Sequence, residues 1–252
     1  MAKVFAIANQ KGGVGKTTTC INLAASLVAT KRRVLLIDLD PQGNATTGSG
    51  INKGSIHSGV YQVLLGEAGV REAISRSEAG QYDVLAANRA LAGAEIELVQ
   101  EIAREMRLKN ALADVLDDYD FILLDCPPTL TLLTLNGAAE GVLVPMVCEY
   151  YALEGISDLV ATVRKIRQAI NPRLDIIGIV RTLYNSQSRL SQEVSEQLQS
   201  HFGRQLFTTT IPRNVRLAEA PSHGLPALAY DAKAKGTLAY LALADELLAR
   251  MA

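Results

Sequence analysis

Ten residues near the start of the chain carry a pattern suited to holding phosphate: Asn9-Gln10-Lys11-Gly12-Gly13-Val14-Gly15-Lys16-Thr17-Thr18. Glycine lacks the Cβ atom that keeps an anion off the backbone. Successive N–H groups from Gly13 to Thr17 can therefore converge on one anion, and a helix starting here adds the positive end of its dipole. Lys16 can reach β- and γ-phosphates, and the Thr17 hydroxyl can ligate Mg²⁺. Three acids complete the set. Asp38 and Asp40 close an apolar run beginning at Arg33, and Asp125 closes Phe121-Ile-Leu-Leu. Mg²⁺ keeps several of its waters, and carboxylates often hold it through them.

The elements that must position these groups can be read from periodicity. Lys3 to Ala8 is a strand pattern, and Cys20, Leu23, Ala24, Leu27 and Val28 then recur at helical spacing. Strand, Gly-rich turn, helix is the context a phosphate loop requires. Further strands are expected at Arg33–Asp40, Tyr82–Ala86, Tyr119–Asp125, Gly141–Val147, Leu174–Thr182 and Leu206–Ile211. Helices are expected at Ser58–Ile74, Ala94–Leu116 with a possible break near Lys109-Asn110, Leu153–Ile170, Leu190–Phe202 and Ala234–Met251. This alternation predicts an α/β fold of the P-loop NTPase type, a mostly parallel sheet with helices on both faces. It is read as one domain over 1–252. In such sheets the ligand crevice lies at the carboxyl ends of the strands, where all three aspartates fall.

Composition narrows the class. The chain has 252 residues, 48% hydrophobic and 20% charged, with a formal net charge of −1. Its global charge does not announce a nucleic-acid binder, so any basic site must be local. Between Arg181 and Arg216 there are five arginines (181, 189, 204, 213, 216) against Glu193 and Glu196, a balance of +3. Cys20, Cys126 and Cys148 form no C-x-x-C pair, which argues against a zinc or Fe–S site within the chain. His57, His201 and His223 are scattered. The N-terminus has no signal-type apolar core and no run is long enough to span a bilayer, so a cytoplasmic protein is expected.

The run Lys11-Gly12-Gly13-Val14-Gly15-Lys16-Thr17 resembles the deviant Walker A motif of the ParA/MinD group of ATPases, with Gln10 where the general phosphate-loop pattern wants Gly. That group includes the nitrogenase iron protein and the arsenite pump ATPase. The resemblance implies a homodimer with ATP sandwiched in it, in which Lys11 crosses to the nucleotide held by the partner. Further motifs resemble chromosomal, Soj-type ParA proteins: Val34 to Thr47, Leu91 to Leu98, Asp125-Cys-Pro-Pro, Leu132 to Asn136, Cys148 to Gly155, and Ile211 to Gly224. They lie in order along the whole chain. The resemblance assigns Asp40 to orienting the attacking water and Asp38 to the metal. It places Pro212 and Asn214 against adenine and gives Arg189 and Arg216 contacts to DNA backbone. Thr129 and Thr131 depart from the Ser and Gly usual in relatives, which would bear on loop motion more than on nucleotide binding.

The expected activity is therefore Mg²⁺-dependent ATP hydrolysis. The dimer would bind nonspecific DNA on the nucleoid and be released when a ParB-like centromere-binding partner stimulates hydrolysis. The alternatives are a MinD-like positioning ATPase acting on membrane or scaffold, and a metabolic P-loop enzyme that phosphorylates a small molecule. The chain's end, Ala244-Asp-Glu-Leu-Leu-Ala-Arg-Met-Ala, lacks the basic amphipathic character of a MinD membrane helix, so no membrane partner is expected. A terminal tyrosine cluster and an N-terminal helix-turn-helix are not seen either.

Overall fold

The structure, a computed structural model, describes residues 1–101, 103–129 and 138–251, without the side chains of Glu95 and Gln100. Strand β1 (Lys3–Ile7) leads through the Gly-rich turn into α1 (Lys16–Ala29), β2 (Val34–Asp38) and the short α2 (Asn44–Gly48). Next come α3 (Val60–Leu65), α4 (Val70–Ala73), β3 (Ile74–Ser77), β4 (Tyr82–Leu85), α5 (Leu91–Glu97), α6 (Arg107–Leu112) and β5 (Phe121–Asp125). The remainder runs β6 (Gly141–Val147), α7 (Ala152–Ala169), β7 (Asp175–Tyr184), α8 (Arg189–Phe202), β8 (Leu206–Pro212), α9 (Val215–Glu219), α10 (Ala227–Tyr230) and α11 (Lys235–Met251).

The strands form one eight-stranded sheet in the order β3-β4-β2-β5-β1-β6-β7-β8. Every pairing is parallel except β3 with β4. Strands buried on both faces need apolar residues throughout, and every residue of β2 and β5 is buried. The period of two then sorts them. Val4, Ala6, Leu35, Ile37, Ile122 and Leu124 face one core, with side chains from α3, α5, α6, α7 and α8. Phe5, Ile7, Leu36 and Leu123 face the other, covered by α1 and α11.

The structure departs from expectation in two stretches. Ser58–Ile74 is not one helix. Gly66, at φ +79°, ends α3 after Leu65, and Ile74 opens β3 instead of closing a helix. Its apolar spacing fits both periods, and the hairpin with β4 settles it: Arg76 pairs with Asp83 across the strands at 2.9 Å. Ala94–Leu116 is likewise interrupted, well before Asn110. Ala103, at φ +56°, separates the end of α5 from α6. The motif Leu132–Asn136 and the departure at Thr131 lie outside the described residues.

Candidate functional site: a phosphate-loop cleft

The turn between β1 and α1 is shaped by glycine where glycine is required. Gly13 and Gly15 sit at φ +72° and +84°, a region that side chains with a Cβ rarely adopt. Gly15 is also the N-cap of α1, so the first amides of a 14-residue helix open onto the turn. Gly12, Gly13, Gly15, Lys16, Thr17 and Thr18 line a cleft of about 360 Å³, closed on its other sides by Asp40, Asn44 and Pro128. Three bonds fix this turn to the sheet. Asn9 Nδ2 donates to Pro145 O at 2.8 Å, while Asn9 Oδ1 accepts from Lys11 N at 2.9 Å. The Thr182 hydroxyl donates to Val14 O at 2.7 Å, and the Val14 side chain is buried.

Lys16 is only 8% exposed, and its ammonium donates to Lys11 O at 3.1 Å. Burial draws its pKa below the ordinary lysine value, and the carboxylate of Asp125 pushes back up. A phosphate in the cleft would supply the missing negative charge.

The acids divide into different roles. Parallel register sets Asp38 directly opposite Asp125, both fully buried at the strand ends. Burial drives the Asp125 pKa well up, and the Asp38 charge adds to this. Burial also lifts Asp38, to about 6, against hydrogen bonds that pull it down. Those bonds come from the Thr46 hydroxyl (2.7 Å), Thr46 N (2.8 Å) and Asp40 N (3.2 Å). These bonds tie Asp38 to the loop that carries Asp40. Asp125 Oδ2 accepts from the Thr17 hydroxyl at 2.8 Å, whereas its Oδ1 is buried with no partner among the described residues. An orphaned carboxylate oxygen beside a second buried acid is a site that a divalent cation would relieve. The residues therefore fit Mg²⁺, which Thr17 and Asp125 would hold. Asp40 is half-buried, faces the cleft, and is oriented by Gln42 N at 2.9 Å.

Lys11 lies elsewhere. Its side chain points to Glu149 Oε2 at 2.6 Å, both groups about half exposed. The Cβ position of Gly12 meets nothing within 4 Å.

A second cavity of about 160 Å³ shares Gly15 and Thr18 with the phosphate turn and is lined further by Thr182, Leu183, Ile211, Asn214, Leu217 and Tyr240. Pro212 ends β8, and Asn214 caps α9 by accepting Arg216 N at 3.0 Å. This mostly apolar space continues the cleft on the side where the family resemblance puts the base.

Arg189 and Arg216 follow the carboxyl ends of the neighbouring strands β7 and β8. Arg189 is 91% exposed and pairs with Glu193 at 2.9 Å. Arg216 is half exposed and held by Glu219 (2.8 Å) and Asp231 (3.4 Å). The +3 balance of the sequence overstates this patch. Arg181 is turned inward, donating to the Ser195 hydroxyl and to Phe207 O and Thr208 O. Asp231, outside the counted window, returns to it in space.

Sequence reasoning did not single out Asn9, Thr46, Thr182 or Asn44. Asn9 and Thr182 hold the turn and Thr46 holds Asp38; Asn9, Asn44 and Thr46 lie inside the motifs quoted above with no role read for them, and Thr182 ends an expected strand.

Residues 2–176 match the family model described as AAA domain. The chain is 49% identical to the sporulation initiation inhibitor protein Soj of Bacillus subtilis, over 99% of each chain. It is 47% identical to the chromosome partitioning protein ParA of Myxococcus xanthus, over 99% of this chain and 89% of that one. Among solved structures, a Mycobacterium smegmatis protein described as cobyrinic acid a,c-diamide synthase, with bound ATP analogue and magnesium, superposes with a TM-score of 0.87 at 38% identity. The match covers 100% of this chain and 96% of that one.

Proposed function

The chain belongs to the ParA/Soj family of partition ATPases, and on that premise we propose that residues 1–252 form one ATPase domain that segregates DNA. ATP binds with its phosphates on Gly12–Thr18, its charge met by Lys16, and its base in the cavity beside Asn214 and Pro212. Mg²⁺ is held by Thr17, with Asp125 and Asp38 behind it, and it neutralises charge that develops on the phosphates. Asp40, on the opposite wall of the cleft, orients the water that attacks. Two protomers close on their nucleotides, with Lys11 reaching the partner's phosphates, and the dimer joins two sets of Arg189 and Arg216 into one surface for DNA backbone. A ParB-like centromere-binding protein triggers hydrolysis and release, in the cytoplasm and on the nucleoid.

The observation that carries the reading is the unpartnered Asp125 Oδ1 beneath a glycine turn that also presents Lys16, Thr17 and Asp40. The C-terminal helix gives no support to a membrane role: Tyr240, Leu243, Ala244 and Leu247 of α11 are buried in the core, and no described helix is long and apolar enough to cross a membrane. Co-sedimentation with two unrelated DNA duplexes and with anionic liposomes, each with and without ATP, tests the proposal. ATP-dependent pelleting with both duplexes and not with liposomes is expected. The reverse outcome moves the protein to the membrane-positioning class.

A further inference from the structure

Backbone strain and an unsatisfied donor meet at the carboxyl end of β7. Leu183 sits at φ +50°, a left-handed conformation that a leucine rarely takes. It marks a bulge: from Arg181 to Tyr184 this strand advances three residues while β8 advances two, from Thr210 to Pro212. Close by, Arg181 Nε is buried with no partner among the described residues, although both terminal nitrogens of that guanidinium are bonded. Buried donors are nearly always paired. Two such defects so close together mark a segment held in one arrangement against a nearby alternative.

The segment touches the phosphate turn on one side and leads to the arginine edge on the other. The Thr182 hydroxyl donates to Val14 O at 2.7 Å. Val14 O and Gly15 N belong to one trans peptide and point in opposite directions, so holding the oxygen fixes where the Gly15 amide is aimed. Leu183 is half-buried and lines the cavity of about 160 Å³ beside the turn. Beyond it the chain is bonded into a stiff unit. Asn185 Oδ1 accepts from Gln187 N at 3.0 Å, Asn185 O accepts from Ser188 N at 3.1 Å, and Gln192 Nε2 donates to Ser186 O at 2.7 Å. Ser188 then caps α8, and Arg189 is its first residue.

We propose that Thr182 and Leu183 couple phosphate in the turn to the setting of Arg189 within a single protomer. The inference rests on the reading above that Arg189 contacts DNA, and adds how nucleotide alters that contact before a second copy is involved. A phosphate that engages the Gly15 amide reorients the Val14–Gly15 peptide and pulls on Thr182. Leu183 absorbs the change by passing between left-handed and extended backbone, and the bonded loop 185–188 carries it to the first turn of α8. Arg181, which spans Ser195 of α8 and the carbonyls of Phe207 and Thr208, follows and brings its Nε to a partner. A strained leucine keeps the two arrangements close enough for a ligand's differential affinity to choose between them. Such coupling is reciprocal, so an anion on Arg189 changes nucleotide affinity by the same factor.

The chain contains no tryptophan, and Leu190, 44% exposed beside Arg189, takes one as a lone reporter. Leu190→Trp protein is diluted until it sediments as a monomer in the presence of ATP. Saturating ATP with Mg²⁺ should shift its emission. Thr182→Val removes the hydroxyl and keeps the shape. At nucleotide saturation it should cut that shift by about threefold or more, and Thr182→Ser should restore it. Leu183→Gly removes the cost of left-handed backbone, which pins the segment, and should cut the shift by about fivefold or more. If the valine variant does not fold, the glycine variant decides alone. In protein without the tryptophan, both variants should lose most of the ATP-dependent gain in affinity for a DNA duplex. A lower melting temperature in Thr182→Val with the emission shift intact would show a purely structural threonine and overturn the inference. So would an emission that ignores ATP although a fluorescent ATP analogue binds. A shift that depends on Thr182 and Leu183 in a protein that binds no duplex would uphold the coupling and remove the DNA reading.

Discussion

The nucleotide cleft and the arginine-bearing edge lie at the carboxyl ends of the same sheet, yet they are built differently. In the cleft the functional groups are fixed by hydrogen bonds to backbone and to buried side chains: Asn9 and Thr182 tie the turn, Thr46 and Asp40 N hold Asp38, and Thr17 meets Asp125. At the edge, Arg189 and Arg216 stand at the starts of helices α8 and α9, and each is paired with an acid close by in sequence. One region is preorganised for a ligand of fixed shape. The other presents side chains that can exchange an exposed carboxylate for a phosphate at little cost, since surface ion pairs contribute about 0–1 kcal/mol. The difference matches the two ligands proposed, a nucleotide with one geometry and a DNA backbone with no required sequence.

The largest test of the cleft is Lys16→Ala. A buried ammonium facing phosphate is worth about 2–5 kcal/mol on truncation, so ATP affinity should fall by about a hundredfold or more, and hydrolysis with it. Fluorescence titration with an ATP analogue reads this directly. Affinity near the parent's would show that the preorganised region is not the phosphate site.

A pair of neighbouring glycines sharpens the contrast between fold and assembly. Gly13→Val forces a branched residue to φ +72° and should impair folding or nucleotide binding. The Cβ position of Gly12 meets nothing within 4 Å, so Gly12→Val should fold and bind ATP yet fail to dimerise in light scattering. Asp40→Ala should do the opposite, keeping ATP bound, slowing hydrolysis and accumulating dimer. A Gly12→Val protein that dimerises like the parent would remove the close approach of two phosphate turns.

These two regions also differ in how far the sequence revealed them. The phosphate turn was legible because its chemistry is local: Gly13, Gly15, Lys16 and Thr17 act through spacing within one turn. Parallel strands ending in acids were legible because burial on both faces demands unbroken apolar runs. The hairpin at Ile74–Ser77 was not, since Ile74 is the single apolar residue of that strand and only pairing with β4 decides it. Nor was the true charge of the arginine edge, because Arg181 turns inward and Asp231 folds back onto Arg216. The role of Thr182 depends on a contact 168 residues away, which no window contains, and that of Thr46 on a bond to Asp38 within the Val34–Thr47 stretch that residue type alone does not mark.

At the edge, exposure separates the two arginines. If each protomer of an ATP-bound dimer places about two arginines on phosphates, log K for DNA should fall against log salt with a slope near about −3.6. Arg189→Ala should flatten that slope by roughly 1.8, equally on unrelated duplexes. Glu219→Gln loosens the clamp on Arg216 and should raise DNA affinity about twofold to threefold, an effect of the size expected for a surface pair. Fluorescence anisotropy across a salt series measures both. Unchanged binding in Arg189→Ala/Arg216→Ala would take DNA away from this edge.

A separate test, on stability, concerns a place where the edge is bonded as fully as the cleft. Glu246 of α11 accepts from Thr208 N and Thr209 N at 2.8 Å each and from the Thr209 hydroxyl at 2.7 Å, and it pairs with Arg250 at 2.7 Å. It thereby covers two amides of β8, an edge strand of the sheet. Burial alone would raise its pKa, but these bonds outweigh burial and bring it from 4.5 to about 2. A carboxylate depressed in the folded state stabilises the protein fully above its unfolded pKa of 4.5, and that contribution is lost as pH falls toward 2. Glu246→Gln keeps the shape and removes the charge. At neutral pH it should lower the melting temperature by about 2–4 °C, which corresponds to about 1 kcal/mol in a chain of this size. Between pH 5 and 3 the parent should lose melting temperature more steeply than the variant, so the two curves converge. Calorimetry at half-unit pH steps measures the gap. A constant gap would mean that Glu246 acts by shape alone and that the edge contains no charge-dependent anchor comparable to Asp38 and Asp125.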